Sequence, residues 1–96
     1  MSEIKQLARF LQSAAEDARL RPSHISLYMA LFLQWDSNGC RNPVFVNRNE
    51  IMHASKILGR STYQRCMKQL VSYGYISYKT SFNRFEASQV YLKEPL

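Results

Sequence analysis

The run from Asn47 to Tyr78, NRNEIMHASKILGRSTYQRCMKQLVSYGYISY, constrains the fold of this chain more than any other stretch. It reads as two helices joined by a tight turn and followed directly by a strand. Asn47 stands three residues before Glu50, the spacing of a reciprocal cap in which each residue bonds the other's free backbone N–H. Ile51, Met52 and Ala54 then give a short helix its apolar face. Leu58-Gly59 marks the turn, because glycine accepts the positive φ that a sharp change of direction demands. Ser61 and Gln64 repeat the capping spacing and open a second helix. Tyr63, Met67, Leu70 and Val71 form a single stripe along it for burial. Gly74 ends the helix in the left-handed position, and Tyr75 to Thr80 continues as a strand.

The opposite face of the second helix carries the functional signal. Arg60, Ser61, Thr62, Gln64, Arg65, Lys68 and Gln69 are cationic or hydrogen-bonding, and none is acidic. A helix that only meets water usually mixes its charge signs. A face of this kind suits the DNA major groove, where Arg pairs with guanine and Gln with adenine through two hydrogen bonds each.

Charge is distributed to match. The net charge is +6, but residues 1–40 cancel to zero, with Lys5, Arg9, Arg19 and Arg21 against Glu3, Glu16, Asp17 and Asp36. Residues 41–85 hold Arg41, Arg48, Lys56, Arg60, Arg65, Lys68, Lys79 and Arg84 against Glu50 alone. Segregation of this kind is the footprint of a polyanion binder rather than of general solubility. Ninety-six residues make one small domain with a modest core. Cys40 and Cys66 form no disulfide framework and lie in no metal-binding spacing. His53 stands alone, so no metal or cofactor is expected. No apolar run reaches the length of a membrane span and no signal-peptide pattern opens the chain. These features suit a cytoplasmic protein with no membrane partner.

The remaining segments support the central unit. Ile4, Leu7, Ala8, Leu11, Ala15 and Ala18 recur at helical spacing, which predicts an amphipathic helix over Ile4 to Ala18. It can pack on the rest of the chain or pair with the same helix of a second copy, and its spacing leaves both open. Arg21-Pro22 ends it and Ser23 caps the next helix. There Ile25, Tyr28, Leu31, Phe32 and Trp35 make the densest apolar stripe, so this is the expected central helix. His24 at its start is read as a local hydrogen-bonding residue. Asp36-Ser37-Asn38-Gly39 closes the helix as a turn. Val44-Phe45-Val46 suits a short edge strand. Ile76 and Tyr78, then Val90 and Leu92, alternate with polar residues as two strands of a hairpin. Its loop, Ser81 to Ala87, carries Arg84 between Phe82 and Phe85, aromatics that either fold back on the sheet or meet a partner. The expected core is Tyr28, Leu31, Phe32, Trp35, Tyr63, Met67, Leu70 and Ile76.

Taken together, the elements are mainly α with some β: three helices, a short strand, a C-terminal hairpin and an extra N-terminal helix. The run S-T-Y-Q-R-C-M-K-Q-L-V-S-Y-G-Y-I from Ser61 resembles the pattern S-T-V-x-R-x-L-x-x-L-x-x-x-G-x-I of bacterial winged helix-turn-helix regulators. The resemblance spans residues 23–93. With R-P-S-H-I-S-L-Y-M-A-L-F, it is also similar to small winged-helix proteins of Bacteroidetes genomes and mobile elements. The apolar spacing and the resemblance together divide the chain into an N-terminal amphipathic helix over residues 1–21 and an expected winged-helix domain over 22–96. The resemblance implies that Ser61, Thr62, Gln64, Arg65 and Lys68 face the groove and that Lys79 and Arg84 on the wing touch the backbone or minor groove. The wing departs from the family by being more aromatic and less basic. The expected function is sequence-specific binding of double-stranded DNA by a small transcriptional regulator or mobile-element accessory factor. The competing expectation is a winged-helix interaction module within a replication-initiation or recombination assembly, with weak non-specific DNA binding. A homodimer through the first helix or the aromatic wing is compatible with either. An enzyme is not expected, since the sequence offers no phosphate loop, no nucleophile with a base at plausible spacing and no acidic pair.

Overall fold

The densest apolar stripe of the sequence becomes the centre of the molecule. In the computed structural model, which describes residues 2–79 and 88–93, the helix α2 (Pro22–Ser37) buries Leu27, Tyr28, Leu31 and Trp35. Around it lie α1 (Ser2–Glu16), β1 (Val44–Val46), α3 (Arg48–Ser55), α4 (Arg60–Ser72), β2 (Ile76–Lys79) and β3 (Ser88–Leu92). The described residues thus form an α+β arrangement of four helices and a three-stranded antiparallel sheet.

The sheet order is β1-β3-β2, so β3 sits between its partners and β1 is the short edge strand its sequence suggests. Val44 pairs with Val90, Tyr78 also pairs with Val90 from the other side, and Ile76 pairs with Leu92. Val44, Val46, Ile76, Val90 and Leu92 point into the core while Phe45 and Tyr91 point out, the alternation that a half-buried sheet requires. Asn42 stands opposite Leu92 in this register, and its side chain takes the place of backbone in the ladder, donating to Leu92 O at 3.0 Å and accepting the Leu92 N–H at 3.1 Å.

The first helix corrects its expected face. It spans Ser2–Glu16 rather than Ile4 to Ala18, and its buried residues are Gln6, Phe10 and Ala14. Ile4, Ala8, Leu11 and Ala15 of the expected stripe are exposed, and only Leu7 is partly covered. Phe10 is fully buried and stacks on Tyr28 with ring centroids 3.6 Å apart, while the Tyr75 ring meets it edge-on at 5.4 Å. The chain after α1 is clamped to the same region. Asp17 holds Arg19 through two side-chain hydrogen bonds of 2.8 Å and accepts the Tyr75 hydroxyl at 2.8 Å. Arg19 in turn lies 4.2 Å over the Tyr73 ring. The helix therefore packs within its own chain.

Several local expectations shift by a few residues. Arg21, not Ser23, is the N-cap of α2, and its backbone N–H donates to His24 Nδ1 at 2.9 Å. Asn47 caps α3 by accepting the Glu50 N–H at 3.1 Å, but the return bond of a reciprocal cap is not made. Within α3 the buried residues are Ile51 and Ser55, and Ala54 is exposed. The Ser26 hydroxyl donates to the Ser55 carbonyl, joining α2 to α3. Of the expected core, Phe32 is only partly buried; Val71, expected in the stripe, is exposed. The core also recruits Phe10, Leu27, Val44, Val46, Ile51, Ile57 and Cys66.

Candidate nucleic-acid interface

How α4 begins decides which of its side chains face out. The left-handed residue between α3 and α4 is Lys56, at φ 64°, rather than Gly59. A lysine there costs roughly 1 kcal/mol relative to glycine. Ile57 offsets that cost by turning inward, where its side chain is buried and its N–H bonds Met52 O at 3.1 Å. Gly59 is extended, at φ −94°, and is the N-cap of α4, so the helix starts at Arg60. Ser61 lies within the first turn and does not cap it.

From that start, Tyr63, Cys66, Met67 and Leu70 fall on the inner face and are buried. The helical period then places Arg60, Gln64 and Lys68 in one outer row and Ser61, Arg65 and Ser72 in the next, all exposed. No acidic residue interrupts either row. Thr62 is half-buried at the edge of the face. Lys79 ends β2 and is exposed. Arg84, Phe82 and Phe85 lie outside the described residues.

Gln69 leaves the set. It is half-buried, and its Oε1 lies 2.7 Å from Nε2 of His24, which is itself 2% exposed. Because His24 Nδ1 accepts the Arg21 N–H, the ring proton sits on Nε2 and is donated to Gln69. Cys66 Sγ also meets Ser23 Oγ at 3.4 Å. Two contacts from the start of α2 thus fix the roll of α4 about its axis and hold the outer rows in one orientation.

Beside the outer rows, Tyr63, Gln64, Met67, Lys68 and Tyr78 line a cleft of about 290 Å³ between α4 and β2. Burial, with Tyr78 adding to it, pushes the Tyr63 phenol up to about 12, while Arg48 pulls in the opposite direction. Arg48 is exposed in the first turn of α3 and so extends the cationic surface toward the sheet. Neither Arg48 nor Tyr78 was singled out from sequence, although the concentration of charge after residue 41 included Arg48. Leu58, before the N-cap, is 95% exposed and adds an apolar point at the same end of α4.

No protein family, curated protein or solved structure matches the chain. Guanidinium, ammonium and carboxamide groups on a rigid helix can donate to phosphate oxygens and to acceptors on base edges. Among the described residues no group of three His, Cys, Asp or Glu side chains is placed to hold a metal ion. No described helix is long and apolar enough to cross a membrane.

Proposed function

We propose that this chain binds double-stranded DNA sequence-specifically as a winged helix-turn-helix protein. In this reading α2, α3 and α4 are its three-helix core, α4 is the helix that enters the major groove, and the β2–β3 hairpin is the wing. The observation that carries the reading is the outer surface of α4. Arg60, Ser61, Gln64, Arg65 and Lys68 are exposed together without an acidic neighbour on the helix, while the inner face is locked to the core. An α-helix fits the major groove, and one that reads bases must present donors and acceptors in a fixed orientation. Arg48 and Lys79 supply phosphate contacts on either flank. A transcriptional regulator and an accessory factor of a mobile element both use this activity.

Selection of duplexes from a random pool, followed by sequencing, tests the proposal. A shared motif among the recovered duplexes, bound more tightly than a scrambled one, is the expected result. Recovery without any shared motif would turn the assignment toward an interaction module with weak non-specific DNA binding.

A further inference from the structure

The first helix has two apolar faces, and its own chain uses one of them. Phe10, Gln6 and Ala14 point inward. Ile4, Ala8, Leu11 and Ala15 remain exposed, Ile4 at 60% and Leu11 at 40%. Their spacing of four, three and four residues is the seam of a two-helix coiled coil. The surface continues through Leu7 into an open groove of about 520 Å³ lined by Met29, Leu33 and Ala54. Met29 is 40% and Leu33 62% exposed, on the side of α2 that faces away from the core.

We infer that a second copy of this chain covers the seam, with the two α1 helices antiparallel about a two-fold axis. The order of residue sizes selects that direction. Along the seam, large and small alternate as Ile4, Ala8, Leu11 and Ala15. Antiparallel pairing places Ile4 against the partner's Ala15 and Leu11 against the partner's Ala8, so every layer combines one large and one small side chain and the layers interlock. Parallel pairing would stack Ile4 on the partner's Ile4 and Ala8 on the partner's Ala8, leaving crowded and empty layers in turn. Charge selects the same direction. Lys5 and Glu16 lie on one flank of the seam at opposite ends of the helix, and among the described residues neither forms an ion pair within the chain. The antiparallel arrangement brings like flanks together and sets Lys5 near the partner's Glu16 twice, whereas in the parallel one each flank meets the partner's opposite flank and these pairs are not made.

The size of the surface sets the strength. Ile4, Leu11, Met29 and Leu33 together expose on the order of 400 Å² of apolar side chain, in the range where an apolar patch marks a contact site. That is about half of the roughly 800 Å² that each partner contributes to a standard interface. A contact of that size suits a reversible dimer rather than an obligate one. Two heptads are short for a free coiled coil. Here the helix is already folded against Tyr28 and Tyr75 before it pairs, so association need not order it.

Sedimentation equilibrium of the full chain without DNA, with circular dichroism of each variant, tests this independently of any DNA-binding role. The wild type is expected to show a monomer–dimer equilibrium. Leu11→Glu should weaken it at least tenfold with the helical signal intact. Lys5→Glu should weaken it roughly fivefold, since two exposed pairs turn from attraction to repulsion. The double variant Lys5→Glu with Glu16→Lys should return to within about twofold of wild type by the same pairing. A wild type that stays monomeric at its highest soluble concentration overturns the dimer. A double variant no tighter than Lys5→Glu overturns the antiparallel register. Both charge positions are exposed, so this arm stands even if Leu11→Glu fails to fold.

Discussion

Gln64 and Gln69 are five residues apart on one helix, and the structure gives them opposite tasks. Gln64 is exposed among cations, whereas Gln69 accepts the buried His24 Nε2–H. Gln64→Ala should lose roughly 1–3 kcal/mol of affinity for a selected duplex and little for a scrambled one, because a paired base contact discriminates by about that much. Gln69→Ala should instead lower stability by about 1–3 kcal/mol, the cost of stranding a buried donor. Fluorescence anisotropy and urea unfolding of both variants check the pair; equal losses on the two duplexes for Gln64→Ala would remove α4 as a reader. Two tyrosines offer a separate test. Burial pushes the Tyr63 and Tyr75 phenols up to about 12, and the hydrogen bond to the Asp17 carboxylate adds to the shift of Tyr75. In the unfolded chain both titrate near 10. Their contribution to stability is therefore complete below about pH 10 and is lost as pH rises from about 10 to 12. Absorbance at alkaline pH should show late phenolate formation, and Tyr75→Phe should remove one late step. A complete phenolate transition near pH 10, with the protein still folded, would contradict this.

At the scale of elements, legibility followed how many apolar stripes a helix carries. Helix α4 has one, and Tyr63, Met67 and Leu70 of it are buried as expected while Val71 at its margin is exposed. Helix α1 has two. Ile4, Leu7, Ala8 and Leu11 form the more regular one, but Phe10 on the other meets Tyr28 and Tyr75, partners remote in sequence that no helical period reveals. Turn chemistry misled in a similar way. Gly59 looked like the left-handed residue, but the chain placed that conformation at Lys56 because Ile57 gains burial by it. His24 was legible only as a local hydrogen-bonding residue, and its bond to Gln69 needed the packing of α2 on α4. The docking of α1 has a measurable consequence. Phe10→Ala should cost about 3–5 kcal/mol, comparable to Leu70→Ala at about 2–5, since both empty fully buried sites. Urea unfolding decides it. A Phe10→Ala chain with an unchanged midpoint would mean that α1 is an appendage and that the exposed seam is not fixed in place.

For the whole molecule, the arrangement of charge matters more than its total. The neutral first forty residues build α1 and α2, which carry the exposed seam and all of the groove beside it except Ala54, while the basic remainder builds α3, α4 and the sheet. A chain organised this way can keep self-association and polyanion binding on different surfaces. If about five phosphates are neutralised per monomer by groups such as Arg48, Arg60, Arg65, Lys68 and Lys79, counterion release sets the salt dependence. The logarithm of the binding constant should then fall against the logarithm of salt with a slope of roughly −4 to −5. Lys79→Ala should weaken selected and scrambled duplexes alike and make the slope shallower by about one, because an ammonium that meets only phosphate carries no sequence information. Replacing both Lys5 and Arg9 on α1, which are equally cationic but lie outside this surface, should leave the slope unchanged. The measurement is a titration of each protein against one duplex across a range of potassium chloride, at protein concentrations below the dimerisation range. A flat dependence on salt would remove DNA as a partner. A slope that responded to Lys5 and Arg9 but not to Lys79 would move the contact surface from α4 and the sheet to the first helix.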